Sequence, residues 1–423
     1  MLRRACRPPA ARLSLICRGF RATPVARAKV LAVLYPDPLS GYPPAQGYLR
    51  ETIPKIFHYP DGSTTPSPSA LDFKPGELLG CVSGELGLRK FLESLGHELV
   101  VTADKEGSSS RFECELPEAE YVISSPFWPA YMTRSRMEMA PKLKACITAG
   151  VGSDHVNLEA AMERGVDVME VSYCNSISVA EHVVLSMLAL TRNFVAAHDV
   201  ASSGGWQVAD ISARAYDIEG MHVGTVAAGR IGLAVMQRLK PFGVRLHYAD
   251  RHRLPFEVEK ELGATYWSSW EEMAPQLDVL TLNCPLYPET ERMLNARTLA
   301  TLRRGAFVVN TARGKLADTD AVVAALKSGQ LGGYAGDVWF PQPPDRDHVW
   351  RTTPGTMMVP HISGTTLSAQ ARYAAGVREI LEDHLCGKEI RSSYQIVTNG
   401  QLAGAGAHSY TAGDSTGGHG GPA

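Results

Sequence analysis

The sequence predicts an α/β protein of two domains, each built on a sheet of parallel strands. Short apolar runs suited to buried strands alternate along the chain with amphipathic stretches suited to helices. The length of 423 residues is enough for two compact domains with extensions. A glycine-rich turn between a strand and a helix lies in the second half of the chain, which indicates that the second domain binds a nucleotide.

The first domain is predicted to begin near Lys29 with the strand VLAVLY. A Pro/Gly-rich arm follows, from residue 36 to about 80, and it is too long for a simple connection, so it is expected to wrap over another surface. GELGLRKFLESLG then predicts an amphipathic helix, and HELVVTAD, YVISS and KACITAG predict strands. NLEAAMERG predicts a further helix that a glycine closes. The apolar side of the first helix consists of Leu88, Phe91, Leu92 and Leu95.

A second alternating series follows a long helix that is predicted to start near Ser178. Ser178 and Glu181 have the spacing of a capping box, and VVLSMLAL supplies the apolar body of the helix. The strand HVGTV precedes a helix that runs to Lys240 and stops at Pro241. The remaining predicted strands are RLHYAD, LDVLTLNCP, AFVVNTARG, GGYAGDVW and MMVPH.

Composition limits the partners of the protein. A net charge of −2 and 20% charged residues indicate neither a nucleic acid nor a membrane surface as a partner. The longest apolar stretch, from Val183 to Leu190, is far shorter than a membrane span requires. None of the eight cysteines forms a Cys-x-x-Cys pair, so we expect free thiols that are buried as small apolar side chains, and no metal site.

The two ends of the chain differ in composition from its body. Seven arginines precede the first acidic residue, Asp37, and this composition is typical of an organelle transit peptide over residues 1–28. A mitochondrial location is expected, a plastid is the alternative, and a simple basic tail is a third reading. Residues 401–423 are rich in Gly and Ala and predict a flexible tail.

The glycine-rich turn predicts a dinucleotide site of the Rossmann type. HVGTV is followed by AAGRIG, in which Gly229 allows the backbone to approach a pyrophosphate and Gly232 allows close helix packing. Ala227 stands at the usual first glycine and suits the motif if its φ is negative. Asp250, at the end of the strand RLHYAD, can bind both ribose hydroxyls and would repel a 2′-phosphate, which favours NAD over NADP. The adjacent Arg251 leaves the strictness of that preference open.

Polar groups follow four predicted strands of the second domain, and ligands bind at such strand ends in an open parallel sheet. Arg313 offers a planar, permanently charged fork that suits a carboxylate, and its plainer alternative is a surface salt bridge. His361 could act as an acid, a base or a hydrogen-bond donor, and its plainer alternative is a structural histidine. The four segments at the strand ends are Cys284–Pro285, Thr311–Gly314, Asp337–Trp339 and His361–Gly364.

These motifs resemble a known superfamily. GTVAAGRIG, NTARGKLADTDAVVAALKSGQLGGYAGDVW and PHISGTT look like the D-2-hydroxyacid dehydrogenases. SSPFWPAYMT, TAGVGSDHV, SYCNSISVAEHVV, NCPLYPETE and DVWFPQPP resemble the NAD-dependent formate dehydrogenases within it. The resemblance runs from about Lys29 to Tyr410. It implies a homodimer that oxidises formate with NAD.

The resemblance also implies the domain plan and the site residues. Two Rossmann-like/flavodoxin-like domains are expected, with an NAD domain over residues 176–362 inserted into a discontinuous substrate domain over 29–175 and 363–400. Arg313 and Asn175 would hold the formate carboxylate, with His361 beside it and hydrogen-bonded to Gln342. Val151 would line the pocket, and Pro126 and Phe127 would close it. The implied NAD contacts are Arg230, Ile231, Asp250, Pro285, Leu286, Tyr287, Pro288, Glu289, Thr311, Asp337, His361, Ile362, Ser363 and Gly364, beside Gly229 and Gly232 of the turn.

Gln342 distinguishes formate from a hydroxy acid as the substrate. Hydroxyacid dehydrogenases that the chain resembles carry glutamate here, because oxidation of a hydroxyl needs a base and a carboxylate supports the imidazolium. Formate has no hydroxyl proton, so a neutral amide suffices. Phe127 and Trp128, between Pro126 and Pro129, are expected to form an apolar wall. Two alternatives remain: a hydroxyacid or glyoxylate reductase on the same scaffold, and a non-catalytic NAD-sensing binding protein.

Overall fold

The computed structural model describes residues 27–37, 52–59, 62–66 and 78–403. Nearly all of the predicted transit peptide and of the predicted tail, and most of the proline-rich arm, lie outside these residues. Within them, no single helix is long and apolar enough to cross a membrane, and one pair of consecutive helices reaches that length only with a bend of 66° between them.

The described chain forms two seven-stranded sheets, whose strands we number in chain order. The strands are β1 Lys29–Val33, β2 Glu98–Thr102, β3 Tyr121–Ser124, β4 Ala145–Thr148, β5 Asp167–Glu170, β6 His222–Val226, β7 Arg245–Ala249, β8 Thr265–Trp267, β9 Val279–Leu282, β10 Ala306–Asn310, β11 Leu331–Gly336, β12 Thr356–Met358, β13 Gln395–Thr398 and β14 Gln401–Leu402.

The first sheet has the order β14-β13-β5-β4-β3-β1-β2. Strands β1 to β5 are mutually parallel and have the flavodoxin-like order. Strand β13, from the end of the chain, pairs antiparallel with β5, and β14 pairs antiparallel with β13. The prediction of parallel sheets is therefore confirmed for the body of this sheet, while the antiparallel hairpin at its edge was not predicted from the strand pattern.

The second sheet is wholly parallel, with the order β12-β11-β10-β9-β6-β7-β8. This is the Rossmann order extended by one strand, and the strand order reverses between β6 and β9. Ligands bind outside the carboxyl ends of strands at such a reversal. The topology therefore puts the predicted nucleotide turn, directly after β6, at the position where a ligand is expected.

Helices cover both faces of each sheet. Asn157 caps one of them through its side chain, and Gly165 ends it in the left-handed conformation, as the sequence predicted. The helices are α1 Arg89–Ser94, α2 Arg111–Glu115, α3 Arg134–Glu138, α4 Leu158–Arg164, α5 Ser176–Thr191, α6 Phe194–Ser202, α7 Val208–Ser212, α8 Arg230–Leu239, α9 Phe256–Leu262, α10 Trp270–Met273, α11 Ala296–Leu299, α12 Thr319–Lys327 and α13 Leu367–Leu385.

Two predictions about helix starts hold only in part. Helix α5 begins at Ser176, close to the predicted start near Ser178, but Ser178 does not cap it, and its hydroxyl bonds instead to Thr366 at 2.8 Å. The predicted helix around Leu88 is divided: a 3-10 turn over Glu85–Gly87 precedes α1, because Leu86 has a φ of +51°. Both departures involve contacts that local spacing does not show, since Thr366 lies 188 positions from Ser178 and Leu86 is buried in the core of the first sheet.

Helix α13 connects the end of the second sheet to the hairpin of the first. Tyr373, Val377 and Ile380 on α13 are buried in the core of the first sheet, together with Val30 and Ile147 of its strands.

The described cysteines are all free thiols. Four of them are buried, whereas Cys114 and Cys386 are exposed, so the expectation of burial fails for those two.

Candidate active site

The carboxyl edge of the second sheet gathers most of the polar residues that the sequence singled out. The last residues of β6, β7, β9, β10 and β11 lie in register with one another. The residue after each strand therefore lies along one edge of the sheet. These residues are Ala227, Asp250, Asn283, Thr311 and Asp337.

The turn after β6 has the geometry of an anion-binding helix start. Gly229 is the N-cap of α8, and a methyl group added to Gly229 would meet no atom of the described residues within 4 Å. A methyl group at Gly232 would lie 2.1 Å from the carbonyl oxygen of Ala227, so only glycine allows this close packing. Ile231 packs against the core beneath the helix. The N–H groups and the partial positive charge of the helix start would suit a pyrophosphate that approaches over Gly229.

Ala227 departs from the prediction. Its φ is +72°, in the left-handed region, whereas the sequence argument required a negative φ. The turn thus keeps the backbone shape that a glycine would adopt and accepts the strain of a Cβ atom there. The backbone contacts explain why: Ala227 N–H donates to Ala249 at 2.8 Å, and the carbonyl of Ala227 accepts from Thr225 at 2.8 Å.

Replacement of Ala227 by glycine should raise the free energy of unfolding by about 1 kcal/mol, because it removes the left-handed strain and keeps both backbone bonds. The neighbouring Ala228 does not have a positive φ, so Ala228→Gly is the matched control and should destabilise the protein. Chemical denaturation of both variants measures the difference. A lower stability for Ala227→Gly would contradict the argument.

Asp250 is held over this turn. One carboxylate oxygen accepts from the N–H of Ala228 at 2.7 Å, and the other accepts from the N–H of His252 at 2.8 Å. The guanidinium of Arg251 lies 5.2 Å from the centre of the Tyr287 ring. The segment after β9 that includes this ring borders the same edge: Tyr287 is buried, Leu286 is half-buried, and Pro285, Pro288 and Glu289 are exposed.

The side chains of Thr311 and Asp337 differ in their hydrogen bonding. The hydroxyl of Thr311 is buried and has no hydrogen-bond partner among the described residues, which suits a contact with a ligand. The carboxylate of Asp337 accepts from the N–H groups of Ile362 and Ser363 at 2.7 and 3.0 Å. Asp337 therefore fixes the turn that presents His361.

The His361 imidazole and the Gln342 amide are hydrogen-bonded as the sequence analysis expected. Nε2 of Gln342 lies 2.8 Å from Nδ1 of His361, and Oε1 of Gln342 accepts from the N–H of Trp339 at 3.4 Å. Because the amide oxygen is turned toward Trp339, the amide nitrogen donates to Nδ1. Nδ1 is then an acceptor, and the neutral ring carries its proton on Nε2.

The surroundings of His361 favour that neutral form. Burial lowers its pKa, Asp337 opposes that effect, Arg313 reinforces it, and the resulting pKa is about 4. His361 also has a φ of +56°, and its ring meets that of Phe127 edge to face at 5.2 Å. Nε2–H is therefore a neutral donor near pH 7.

Arg313 reaches across to the first domain. Its Nε and Nη2 atoms donate to one carboxylate oxygen of Asp154 at 2.9 and 2.6 Å, and Nη1 donates to the carbonyl of Ala312 at 2.7 Å. Burial raises the pKa of Asp154, but Arg313 outweighs this and lowers it to about 2. The guanidinium thus borders the loop that includes Val151, with its orientation set by Asp154.

Gly152 makes this arrangement possible. A Cβ atom at Gly152 would lie 1.8 Å from Nη2 of Arg313, and Gly152 has a φ of +109°.

Gly152→Ala should therefore displace the guanidinium and lower kcat/KM for formate about a hundredfold, with NAD affinity retained. Gly165→Ala is the matched control, since Gly165 has a φ of +65° but open space around it. Steady-state kinetics that were unchanged in Gly152→Ala would contradict this role.

The first domain contributes the rest of the site. Asn175 is buried, and its amide oxygen has no hydrogen-bond partner in the part of the chain that the structure describes. A Cβ atom at Gly364 would lie 2.5 Å from Nδ2 of Asn175 and 3.3 Å from the Phe127 ring, so these three residues meet closely. Pro126 and Phe127 also border Gly150, next to Val151. Asn175 and Phe127 therefore lie against the His361–Gly364 turn, and Pro126 lies beside the Gly150–Val151 segment.

Trp128 does not form the apolar wall that was expected of it together with Phe127. Its indole N–H donates to the carbonyl of Ala103 at 3.1 Å, and its ring packs against the core on the opposite face of the first sheet. Phe127, in contrast, packs on the side of α13. The expectation for Trp128 is wrong because adjacent residues in this extended turn point to opposite sides.

Sequence reasoning missed three supporting residues. Asp154 and Gly152 lie in the TAGVGSDHV motif, and an acid in a glycine-rich loop was the available signal for them. Glu170 is fully buried, and its carboxylate accepts from the N–H of Gly152 at 2.8 Å. A glutamate at the end of a strand carries no sequence signal for that contact.

Known proteins resemble this chain along most of its length. Residues 184–363 match the family described as D-isomer specific 2-hydroxyacid dehydrogenase, NAD binding domain. Formate dehydrogenase from Pseudomonas sp. (strain 101) is 63% identical over 391 residues, which cover 92% of this chain and 97% of that protein. The chloroplastic/mitochondrial formate dehydrogenase of Arabidopsis thaliana is 47% identical over 78% of this chain and 86% of that protein.

Solved structures agree with these relatives. A formate dehydrogenase from Granulicella m. has a TM-score of 0.86 and 59% identity, and it covers 89% of this chain and 100% of its own. The NAD-dependent formate dehydrogenase from Staphylococcus aureus, solved in complex with NAD, has a TM-score of 0.72 and 36% identity. That match covers 88% of this chain and 99% of the Staphylococcus protein.

Proposed function

The chain belongs to the formate dehydrogenases of the D-isomer specific 2-hydroxyacid dehydrogenase family, and from this premise we propose how its own residues oxidise formate. The protein is an NAD-dependent oxidoreductase that converts formate to carbon dioxide and produces NADH. NAD, when bound, supplies the nicotinamide C4 that accepts the hydride. The observation that carries the proposed mechanism is the hydrogen bond from the neutral Gln342 amide to His361, at 2.8 Å.

Arg313 and Asn175 would hold the two oxygens of formate. The guanidinium supplies a charge-assisted donor, and its bonds to Asp154 restrict it to one orientation. The buried Asn175 amide has an oxygen without a partner, and a half-turn about its terminal bond would put its NH₂ group there instead. Together the two donors would aim the C–H bond of formate at the acceptor carbon, and such orientation contributes much of the rate.

His361 would act as a hydrogen-bond donor and not as a base. Its pKa of about 4 keeps the ring neutral near pH 7, and Gln342 keeps the proton on Nε2. Formate becomes carbon dioxide by loss of hydride alone, so no proton has to be removed. Val151, Pro126 and Phe127 would limit the pocket to a one-carbon anion and exclude water.

The proposed NAD site follows the edge of the second sheet. The start of α8 at Gly229–Gly232 would hold the pyrophosphate, and Asp250 would hold the ribose. The orphaned Thr311 hydroxyl and the open space at Gly229 support this assignment. Arg230, Ile231, Asp337, the Pro285–Glu289 segment and the His361–Gly364 turn are proposed to border the same coenzyme.

We further propose a substrate domain over residues 29–175 and 363–400 and an NAD domain over 176–362. Support comes from α13 and β13, which pack on the first sheet although they follow the second sheet in sequence.

We also propose that the arginine-rich residues 1–28 direct the protein to the mitochondrion. Organellar targeting agrees with plant relatives that are named mitochondrial or chloroplastic, and a fusion of residues 1–28 to a fluorescent protein tests the organelle.

With formate as the substrate, the purified protein should reduce NAD rapidly and should reduce NADP much more slowly. The absorbance of the reduced coenzyme measures both rates. The same preparation should consume little NADH when supplied with glyoxylate. Faster consumption of NADH with glyoxylate than production of NADH with formate would contradict the assignment and favour a reductase. A preparation that binds NAD but turns over neither substrate would favour a binding protein.

We propose that two copies of the chain associate through the outer face of α5 to α7. Six large apolar side chains between residues 185 and 216 are exposed, including Trp206 at 84% exposure, and such a concentration of exposed apolar side chains on a single chain marks an interaction surface. A second copy is the occupant that the family resemblance implies. The exposed apolar side chains are Leu185, Phe194, Val195, Trp206, Val208 and Tyr216.

The double variant Phe194→Asp/Trp206→Asp should weaken dimerisation about a hundredfold or more, because buried aromatic anchors dominate such interfaces. Phe256→Asp is the matched control, since Phe256 is 68% exposed but lies on α9, outside the patch. Sedimentation velocity over a range of concentrations separates monomer from dimer. A dimer of unchanged affinity in the double variant would contradict the proposed surface.

A further inference from the structure

Tyr173 lies in the connection from β5 to α5, which links the two proposed domains. It has a φ of +69°, an uncommon conformation for a residue with a side chain. Its ring stacks on that of Tyr59, with centroids 5.3 Å apart, and the guanidinium carbon of Arg230 lies 3.2 Å from its centre. The site described above gives this arrangement no role.

Arg230 occupies a position that a cation does not favour. It is the first residue of α8, where the partial positive charge of the helix disfavours a basic side chain. The face of the Tyr173 ring offsets that cost, because its quadrupole attracts a cation. A cation kept at a helix start by an aromatic ring is well suited to meet an anion.

The geometry of the contact between Arg230 and Tyr173 leaves the guanidinium able to bind an anion. A guanidinium at 3.2 Å lies against the face of the ring, while its N–H bonds point outward in its own plane. Stacking and hydrogen bonding to a phosphate therefore use different parts of the group. A cavity of about 220 Å³ adjoins both residues and the turn, and its lining includes Tyr173, Ser176, Gly229 and Arg230.

We propose that Tyr173 is a positioning residue that holds Arg230 ready for the pyrophosphate of the coenzyme, and that it links coenzyme binding to the formate site. The inference rests on the proposed placement of the pyrophosphate at Gly229–Gly232. The link to formate follows from the chain, since Asn175 is only two residues beyond Tyr173. The strained φ of Tyr173 makes the connection sensitive to loss of the stacking contacts that hold it.

The test is the binding of ADP-ribose, which carries the pyrophosphate but no nicotinamide, measured by titration calorimetry. Tyr173→Leu should weaken binding about tenfold, whereas Tyr173→Phe, which keeps the ring, should restore affinity to within about threefold of the natural protein. Arg230→Leu should weaken binding to a similar or greater extent. The double variant Tyr173→Leu/Arg230→Leu should be no weaker than Arg230→Leu alone, because the two residues act as a unit.

If Tyr173→Leu does not fold, Tyr173→Met serves as a second variant, whose side chain also lacks a ring and is close to leucine in volume. For the link to formate, KM for formate should rise more than kcat falls in Tyr173→Leu. Unchanged ADP-ribose affinity in Tyr173→Leu or Tyr173→Met, or losses that add in the double variant, would overturn the proposal. Because ADP-ribose binding needs no turnover, a failure of the formate mechanism would leave this result interpretable.

Discussion

Replacement of Arg313 by alanine is expected to lower kcat/KM for formate by at least about a thousandfold, because a charged donor to the substrate disappears from an enclosed site. The affinity for NAD should stay within about threefold, since the proposed pyrophosphate and ribose contacts do not involve this guanidinium. The pKa of Asp154 should also rise from its value of about 2, because Arg313 is the largest of the influences that lower it. Steady-state kinetics and calorimetry measure the first two effects.

Arg303→Ala is the matched control, because Arg303 also donates to a carboxylate, that of Asp278 at 2.9 Å, away from the site. Formate kinetics should not change in that variant. Arg313→Lys should recover only part of the activity, since a lysine cannot donate to Asp154 and to substrate with one planar fork. A kcat/KM for Arg313→Ala within tenfold of the natural protein would remove Arg313 from the proposed mechanism.

Replacement of Gln342 by glutamate is expected to introduce a titration near neutral pH. In the natural protein the pKa of His361 is about 4, so the ring is neutral above that pH and activity is lost only as the pH falls through it. A carboxylate at position 342 would accept a hydrogen bond from Nδ1–H and raise the pKa of His361. The ring would then be charged at neutral pH, or neutral with its proton on the wrong nitrogen.

An imidazolium would stabilise the formate anion more than the neutral product, so formate oxidation at pH 7 should fall about tenfold or more. The pH profile of kcat/KM should be flat from about pH 6 to 9 in the natural protein and inflected in Gln342→Glu. Gln342→Leu is the control: it removes the hydrogen bond without adding charge, and it should lose activity without a new inflection. Superimposable profiles for Gln342→Glu and the natural protein would contradict the role of the amide.

The second sheet could be predicted well from the sequence because its signals are local. Each buried strand is short and apolar, and the groups at its carboxyl end follow it directly, as Thr311 and Asp337 do. Parallel pairing then brings these groups to one edge, whatever the order of the strands. The hydrogen bond between Gln342 and His361 was expected from the family resemblance and not from spacing.

What the sequence did not reveal depends on contacts between distant segments. Ala227 has a positive φ because a turn shaped by Ala249 and Thr225 imposes it. Trp128 turns toward the opposite core, although it adjoins Phe127 in a proline-flanked turn. Asp154 meets Arg313 across 159 positions of sequence. Composition and periodicity carry no information on such pairs, so only the assembled structure reveals them.

The central claim is that hydride leaves formate with no accompanying proton. Formate anion and NAD⁺ would become carbon dioxide and NADH with all charges balanced, whereas oxidation of a hydroxy acid must release one proton for each NADH. A single turnover in weak buffer with a pH indicator, read before carbon dioxide hydrates, counts the protons directly. The account predicts NADH formation with no proton released in the same phase. One proton released in step with each NADH would contradict it.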